Sequence, residues 1–314
     1  MAFSYDSEFA AVMAEIGAPV EIAQAAPGDW RTLRELGDAA LALMMSTIPP
    51  APDVLTTDFE IRGYQGAPIA ARYYYKDGTQ PGSAVLYIHG GGMVLGSMEL
   101  YSPAVASYVD ASGVPMLSVD YRLAPEHPHP TPVQDCFAAL IWLHRRAAEL
   151  GIDPARIAVM GDSAGGGLAA GTAILARDHG GLLAKQILIY PMLDDRNVVP
   201  DPELAGFASW TYDGNITGWG ALLGDRRGTD NVPPSAAPAR ETDYRGLPPA
   251  YIEVGGLDIF RDEDIEYAQR LSRAGVPTEL HLHPGLPHGF EVLGALTAVG
   301  LRSRADRIRV LTSI

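Results

Sequence analysis

The strongest constraint on how this chain can fold is a short run, Gly161-Asp162-Ser163-Ala164-Gly165. It lies between a buried-strand pattern (Arg156-Ile157-Ala158-Val159-Met160) and a small-residue stretch suited to a helix (Gly166, Gly167, Leu168, Ala169, Ala170). A serine on a sharp strand-to-helix turn takes a strained backbone, and glycines two positions before and after it remove side chains that would collide there. Its hydroxyl then stands at a helix N-terminus, where unpaired N–H groups and the positive end of the helix dipole favour developing negative charge. A glycine-rich turn alone has an ordinary packing explanation, but a second motif turns the reading toward chemistry. Ala84-Val85-Leu86-Tyr87-Ile88 reads as another buried strand and runs directly into His89-Gly90-Gly91-Gly92. Successive glycines let backbone amides approach an oxyanion, and such a loop works together with the amide that follows the nucleophile. Gly91, Gly92 and Ala164 are the expected donors.

The pattern around these motifs is that of an α/β protein. Thr57 to Tyr75 alternates and is rich in aromatics, with Gly66 available for a turn, which predicts an antiparallel pair at a sheet edge. Six further strands are expected at Ala84–Ile88, Val114–Val119, Ile157–Met160, Gln186–Tyr190, Ala250–Val254 and Thr278–Leu282, separated by helix-length segments. That alternation implies a mostly parallel eight-stranded sheet covered on both faces, with its chemistry at the C-terminal edge. Residues 51–193 and 248–314 form the expected core. Residues 1–50 and 194–247 do not fit the alternation, and together they are expected to form a cap over that edge. The tryptophans of the second segment argue against an unstructured excursion.

Composition narrows the function by exclusion. The formal net charge of −15 and the lack of a basic cluster argue against nucleic-acid partners. Cys136 is the single cysteine, so no disulfide forms within the chain and nothing calls for an oxidising compartment. Its helical spacing with Phe137, Leu140 and Ile141 makes it a small core residue. The N-terminus has neither the basic region nor the apolar stretch of a secretory signal, and the longest apolar runs stop far short of a bilayer span. A cytoplasmic protein without stable membrane insertion is expected, and a homodimer is compatible with these features.

A serine hydroxyl needs a base, and the base needs an orienting acid. Of the eight histidines, His144 and His179 fall in or beside helical segments, His127 and His129 in a proline-rich loop, and His89 within the glycine motif as a brace. His281 and His283 alternate with leucines on the last strand. His288 instead lies in the loop Pro284-Gly285-Leu286-Pro287-His288-Gly289-Phe290, directly after that strand, and is the expected base. Asp258 ends the turn that follows the strand pattern of Tyr251 to Val254, and is the expected acid. Asp262, Glu263 and Asp264 have the ordinary role of acids in the first turn of a helix. His281-x-His283 could offer metal ligands, but no Cys pair, HExxH motif or matching acidic cluster accompanies it, so no metal is expected.

The order Ser163, Asp258, His288 is that of α/β-hydrolases. Taken as a set, His89-Gly90-Gly91-Gly92, Asp120-Tyr121-Arg122-Leu123-Ala124-Pro125-Glu126, Gly161-Asp162-Ser163-Ala164-Gly165-Gly166, Asp258-Ile259-Phe260-Arg261-Asp262-Glu263 and His288-Gly289-Phe290 resemble the motif series of the hormone-sensitive-lipase-like carboxylesterases. The resemblance runs from about residue 57 to the end. It implies an α/β-hydrolase fold, a helical cap built partly from the N-terminus, and hydrolysis of small-molecule esters of short to medium acyl length without a cofactor. Ile259 departs from the proline that many members carry after the acid, and it touches no reacting group. Asp162 is expected to point away from the Ser163 hydroxyl, and the Asp120 to Glu126 run to shape a loop through ion pairing of Arg122.

The expected reaction is attack by Ser163 on an ester carbonyl, with His288 as base and Asp258 holding its tautomer, followed by hydrolysis of the acyl-enzyme. An amidase or peptidase would share the triad and differ only in leaving group and pocket. A small-molecule receptor of this fold would have lost the base, whereas all three residues are present. Long-chain lipase activity ranks below hydrolysis of soluble esters. A nucleotide site is excluded because the glycines of Gly165-Gly166-Gly167-Leu168-Ala169-Ala170 fall inside the helix and no GK[ST] occurs. Met93, Val94 and Leu95 after the glycine loop, with Phe207, Trp210 and Trp219 from the cap segment, are candidates for the substrate pocket.

Overall fold

The computed structural model describes residues 3–16, 25–79 and 82–314. Residues 1, 2 and 17–24 of the expected N-terminal cap segment lie outside them. Eight strands, β1 (Val54–Arg62), β2 (Pro68–Lys76), β3 (Ala84–Ile88), β4 (Met116–Val119), β5 (Ile157–Asp162), β6 (Lys185–Ile189), β7 (Ala250–Gly255) and β8 (Thr278–His283), form one sheet in the order β1-β2-β4-β3-β5-β6-β7-β8. β2 runs antiparallel to both neighbours, and every other pairing from β4 to β8 is parallel. The expected edge pair is thus present, closed by a turn in which Gly63 N–H donates to the Ala67 carbonyl. Two boundaries move for local reasons. β4 starts after Pro115, which has no N–H for the ladder and contributes only its carbonyl, to Val85. β6 stops before Tyr190, whose φ of +36° takes the chain out of the extended region.

The central strands alternate between two cores. Leu86 and Ile88 of β3 with Ile157 and Val159 of β5 face one side, beneath α4 (Thr131–Arg146) and α5 (Ala164–Asp178). Val85, Tyr87, Ala158 and Met160 face the other, with α3 (Ser102–Ser112) and α9 (Ala298–Thr312). Strands buried on both faces read as continuous apolar runs, as these do. α7 (Arg261–Arg273) packs on β7 and β8.

Residues 194–247 contain no strand. Their main element is α6 (Tyr212–Leu223), which packs against α2 (Trp30–Met45), while α1 (Ser7–Ile16) and α2 both touch the single turn α8 (Phe290–Leu293). Gly28 N–H donates to Thr217 Oγ1 at 2.9 Å. From α2, Arg34 reaches the carbonyls of Val94 and Ala124 and binds Glu126 through two N–H groups, each at 2.8 Å. Among the described residues no helix is long and apolar enough to cross a membrane.

The Asp120 to Glu126 run is held as its charges suggest. Arg122 forms a two-pronged pair with the fully buried Asp135, at 2.8 Å on both prongs, and Asp135 also accepts the Tyr64 and Arg122 amides. Removing one partner of such a pair leaves the other charge without compensation and typically costs about 3–5 kcal/mol. Asp135→Ala is therefore expected to lower unfolding stability by about that amount, read as a fall in the urea midpoint at unchanged slope. A midpoint equal to the native one would show that the pair contributes nothing.

Candidate active site

At the end of β5, Ser163 has φ +57° and ψ −123°, a combination that costs a non-glycine residue energy and persists only where the surroundings enforce it. Two contacts do so. Its N–H donates to the Ile189 carbonyl at 2.8 Å, and α5 begins so close to β3 that a Cβ at Gly165 would lie 2.1 Å from the Ile88 carbonyl oxygen. A Cβ at Gly161 would likewise meet the Gly165 carbonyl at 2.2 Å, so neither flanking glycine tolerates a side chain.

The structure brings Ser163, His288 and Asp258 together from the ends of three strands. His288 Nε2 lies 2.9 Å from Ser163 Oγ, and Nδ1 lies 2.7 Å from Asp258 Oδ2. An ionised carboxylate only accepts, so Nδ1 carries the proton and Nε2 is left to accept from the hydroxyl. Asp258 is wholly buried, and its second oxygen accepts the Phe260 N–H at 2.9 Å. The loops carrying Asp258 and His288 are held to one another: Gly256 N–H donates to the His283 carbonyl and Leu257 N–H to that of Leu286. Phe260 and Tyr190 both meet the imidazole edge-on, with ring centroids 5.2 and 4.5 Å away. Ser209, from the 194–247 segment, donates its hydroxyl to the His288 carbonyl at 2.6 Å.

Beside Ser163, Gly91 and Gly92 take φ of +113° and +59°. Among the described residues none of the Gly91, Gly92 and Ala164 amides donates a hydrogen bond. His89 braces the loop from beneath, with Nδ1 2.8 Å from the Gly90 carbonyl oxygen and its ring stacked on Tyr121 at 4.3 Å. Burial lowers the His89 pKa, against upward pushes from its bond to Gly90 and from Asp120 and Asp38.

The candidate pocket residues occupy different surroundings. Trp210 lies directly on the glycine loop, since a Cβ at Gly92 would be 2.5 Å from its ring. Phe207 sits edge-on to Tyr5, with ring centroids 5.0 Å apart. Trp219 is wholly buried within α6, and Met93, Val94 and Leu95 are buried in the same core, Leu95 against Gly37 of α2. Sequence reasoning missed Gly218, where a Cβ would come within 2.7 Å of the Gly92 carbonyl oxygen. It also missed Arg34, Ser209 and Tyr190. For Gly218 the available signal was a glycine inside a helix, where a residue without a side chain marks close approach.

Two expectations need refinement. Of the acids opening α7, only Asp262 is exposed, paired with Arg261. Glu263 is buried and accepts the amides of Leu193 and Asp194 and the side chain of Asn197, pinning the start of the 194–247 segment. Asp264 is also buried, and burial raises the pKa of both. His281 does have acidic company, contrary to the sequence reading: Glu279 and Asp306 lie beside it, close enough to share a cation. Arg309 binds both carboxylates and already supplies their countercharge.

Asp162 turns to Tyr87, whose hydroxyl donates to Oδ1 at 2.5 Å, and lies beneath Gly90. Burial raises its pKa to about 6, against the bonding from Tyr87 and with a further upward push from Glu291.

Comparison with known proteins agrees with this geometry. A family model described as alpha/beta hydrolase fold matches residues 85–292. The esterase LipI of Mycobacterium tuberculosis is 38% identical over 259 residues, 77% of each chain. An arylesterase of Saccharolobus solfataricus is 33% identical over 82% of this chain and 84% of its own. Among solved structures, a bacterial heroin esterase superposes with a TM-score of 0.88 at 37% identity, covering 99% of this chain and 98% of that one. A hyperthermophilic esterase from Pyrobaculum calidifontis gives 0.85 at 32% identity and 99% of both. The chain belongs to the α/β-hydrolase fold, in its hormone-sensitive-lipase-like carboxylesterase family. It is a carboxylic ester hydrolase.

The raised pKa of Asp162 has a consequence for stability. The folded state holds this proton more tightly than the unfolded chain does, so stability falls as pH rises from the ordinary carboxylate range to about 6, and is level above it. Asp162→Asn removes that dependence. Its stability relative to the native chain is expected to improve between pH 4 and 7, on the order of 1–3 kcal/mol, in paired urea titrations. A difference that stays constant with pH would contradict this.

Proposed function

We propose that this esterase cleaves short to medium acyl esters of small molecules with Ser163 as nucleophile, His288 as general base and acid, and Asp258 as orienting acid. The observation that carries the reading is the unbroken relay from Ser163 Oγ through both ring nitrogens of His288 to a buried carboxylate. Ser163 Oγ attacks the carbonyl carbon while its proton passes to Nε2, and the imidazolium then protonates the departing alkoxide, leaving an acyl-serine. Water enters, gives its proton to the same nitrogen and releases the acid. In both steps the negative oxygen is received by the amides of Gly91, Gly92 and Ala164, which have no other acceptor among the described residues. Attack uses the unprotonated Nε2 of His288 to take the serine proton.

Residues 1–50 and 194–247 act in this reading as a cap. In favour of it are the bonds from Gly28 to Thr217, from Arg34 to Val94 and from Ser209 to His288, together with the contact of Trp210 on Gly92. Trp210 then limits acyl length. No cofactor enters the mechanism, and the single buried Cys136 suits a cytoplasmic setting.

Two expected outcomes test this. With p-nitrophenyl esters of increasing acyl length, turnover peaks at short chains and falls ~10⁴-fold or more in Ser163→Ala. Equal turnover in the variant would reject Ser163 as nucleophile, and a preference for the matching p-nitroanilides would reject the ester assignment. Trp210→Ala is expected to move the acyl optimum to longer chains, and an unmoved optimum would remove Trp210 from the pocket.

A further inference from the structure

Two hydrogen bonds at opposite ends of the His288 ring, to Ser163 and to Asp258, define an axis through the imidazole but do not stop the ring from rocking about it. Contacts against the ring must do that. The aromatic contacts are Phe260 and Tyr190, and Tyr190 is the nearer of the two. Phe260 is fixed by the same turn that holds Asp258. Tyr190 needs support of its own, because it follows the last residue of β6 with φ +36°, a region that β-strand residues avoid.

That support is a buried charge network. The Tyr190 hydroxyl donates to Glu291 Oε1 at 2.5 Å, and the Tyr190 amide donates to the Glu253 carbonyl at 2.7 Å. Arg307, on α9, donates to the same Glu291 oxygen at 3.0 Å and to Tyr108 Oη at 2.7 Å. Its Nε and Nη2 bind the carboxylate of Glu253, which also accepts from Tyr251 and Ser303. Glu253 and Arg307 are almost entirely withdrawn from water. A buried pair of this kind stabilises a fold little more than well-packed apolar residues would, because desolvation offsets the attraction. What it supplies instead is one fixed acceptor, Glu291, at one fixed place for the Tyr190 hydroxyl.

We propose that Tyr190, tethered through Glu291 to Arg307, is a positioning residue that sets the tilt of the His288 imidazole for proton transfer. The proposal rests on His288 being the base. Tyr190 acts through the ring it supports. A misplacement of about 1 Å at a reacting group can cost on the order of 10²-fold in rate, which bounds the expected effect.

The test uses the full chain carrying Tyr190→Leu, Tyr190→Phe or Glu291→Gln, with Ser163→Ala alongside. kcat and KM are measured on p-nitrophenyl butyrate per active site, titrated with a p-nitrophenyl phosphonate. The downfield proton resonance of the His288–Asp258 hydrogen bond is recorded by NMR. Tyr190→Leu is expected to lower kcat about 10- to 100-fold with KM within about twofold, and to shift or broaden the downfield resonance. Tyr190→Phe keeps the ring without the tether and is expected to fall between Leu and native, with Glu291→Gln matching it. If Tyr190→Leu loses thermal stability but keeps native kcat per titrated site and an unchanged resonance, the role is packing and the proposal fails. Should the Leu variant not fold, native kcat and resonance in both Tyr190→Phe and Glu291→Gln overturn it equally. Native activity in Ser163→Ala overturns the catalytic reading and the proposal with it, whereas loss there beside intact Tyr190 variants overturns the proposal alone.

Discussion

Helix α5 meets β3 at a separation that leaves no room for a side chain at Gly165, and the rest of the site depends on that close approach. It forces the turn after β5 to be sharp, and the sharp turn puts Ser163 into a backbone region that only a rigid surrounding sustains. The same approach brings the first amides of α5 beside the glycine loop that leaves β3. A proposed nucleophile and its proposed oxyanion donors thus share one packing constraint, not two independent ones. Strain of this kind cannot relax locally, because the strands on both sides of β5 are buried on both faces and paired in parallel register.

Several buried and half-buried charges lie around this rigid centre. Asp162, Glu253, Glu291 and Arg307 lie on the side of the sheet under α9, behind the imidazole, while Glu263 lies under the start of the 194–247 segment. Each is tied to backbone amides, tyrosine hydroxyls or a guanidinium. Such groups cost desolvation energy and return geometry, since a charge in a low-dielectric interior tolerates few arrangements of its partners. They hold the loops around Asp258, His288 and Ser163, whereas strands and helices are held by apolar contact. The Asp135–Arg122 pair does the same for the loop running from Asp120 to Glu126, which Arg34 of α2 then binds from above.

The sheet was legible in the chain because parallel strands buried on both faces leave continuous apolar runs, and the loops at their C-terminal ends are marked by glycines and isolated polar residues. Strand boundaries were less so: the early end of β6 at Tyr190 comes from a backbone turn that a tyrosine does not advertise. Acids opening α7 read as an ordinary helix start, and only the fold reveals that Glu263 faces inward to the amides of residues 193 and 194. Of the acids beside His281, Glu279 is two residues away on the same strand, whereas Asp306 is 25 residues away along the chain and reaches it only through the packing of α9 on the sheet edge.

By itself the sequence determined the α/β order of elements, the elbow, the glycine loop and the identity of Ser163, Asp258 and His288 as candidates, because each is written in a local pattern of strand, turn and small residues. Tertiary structure alone decided that these residues meet, at 2.7 and 2.9 Å, since they approach from β5, β7 and β8 across the sheet edge. It also decided which distant side chains serve them: Tyr190 and Phe260 against the imidazole, Ser209 on its backbone, Trp210 and Gly218 on the glycine loop. Contacts between segments far apart in the chain have no periodicity to betray them, because they are selected by shape and desolvation in the folded state rather than by local conformational preference.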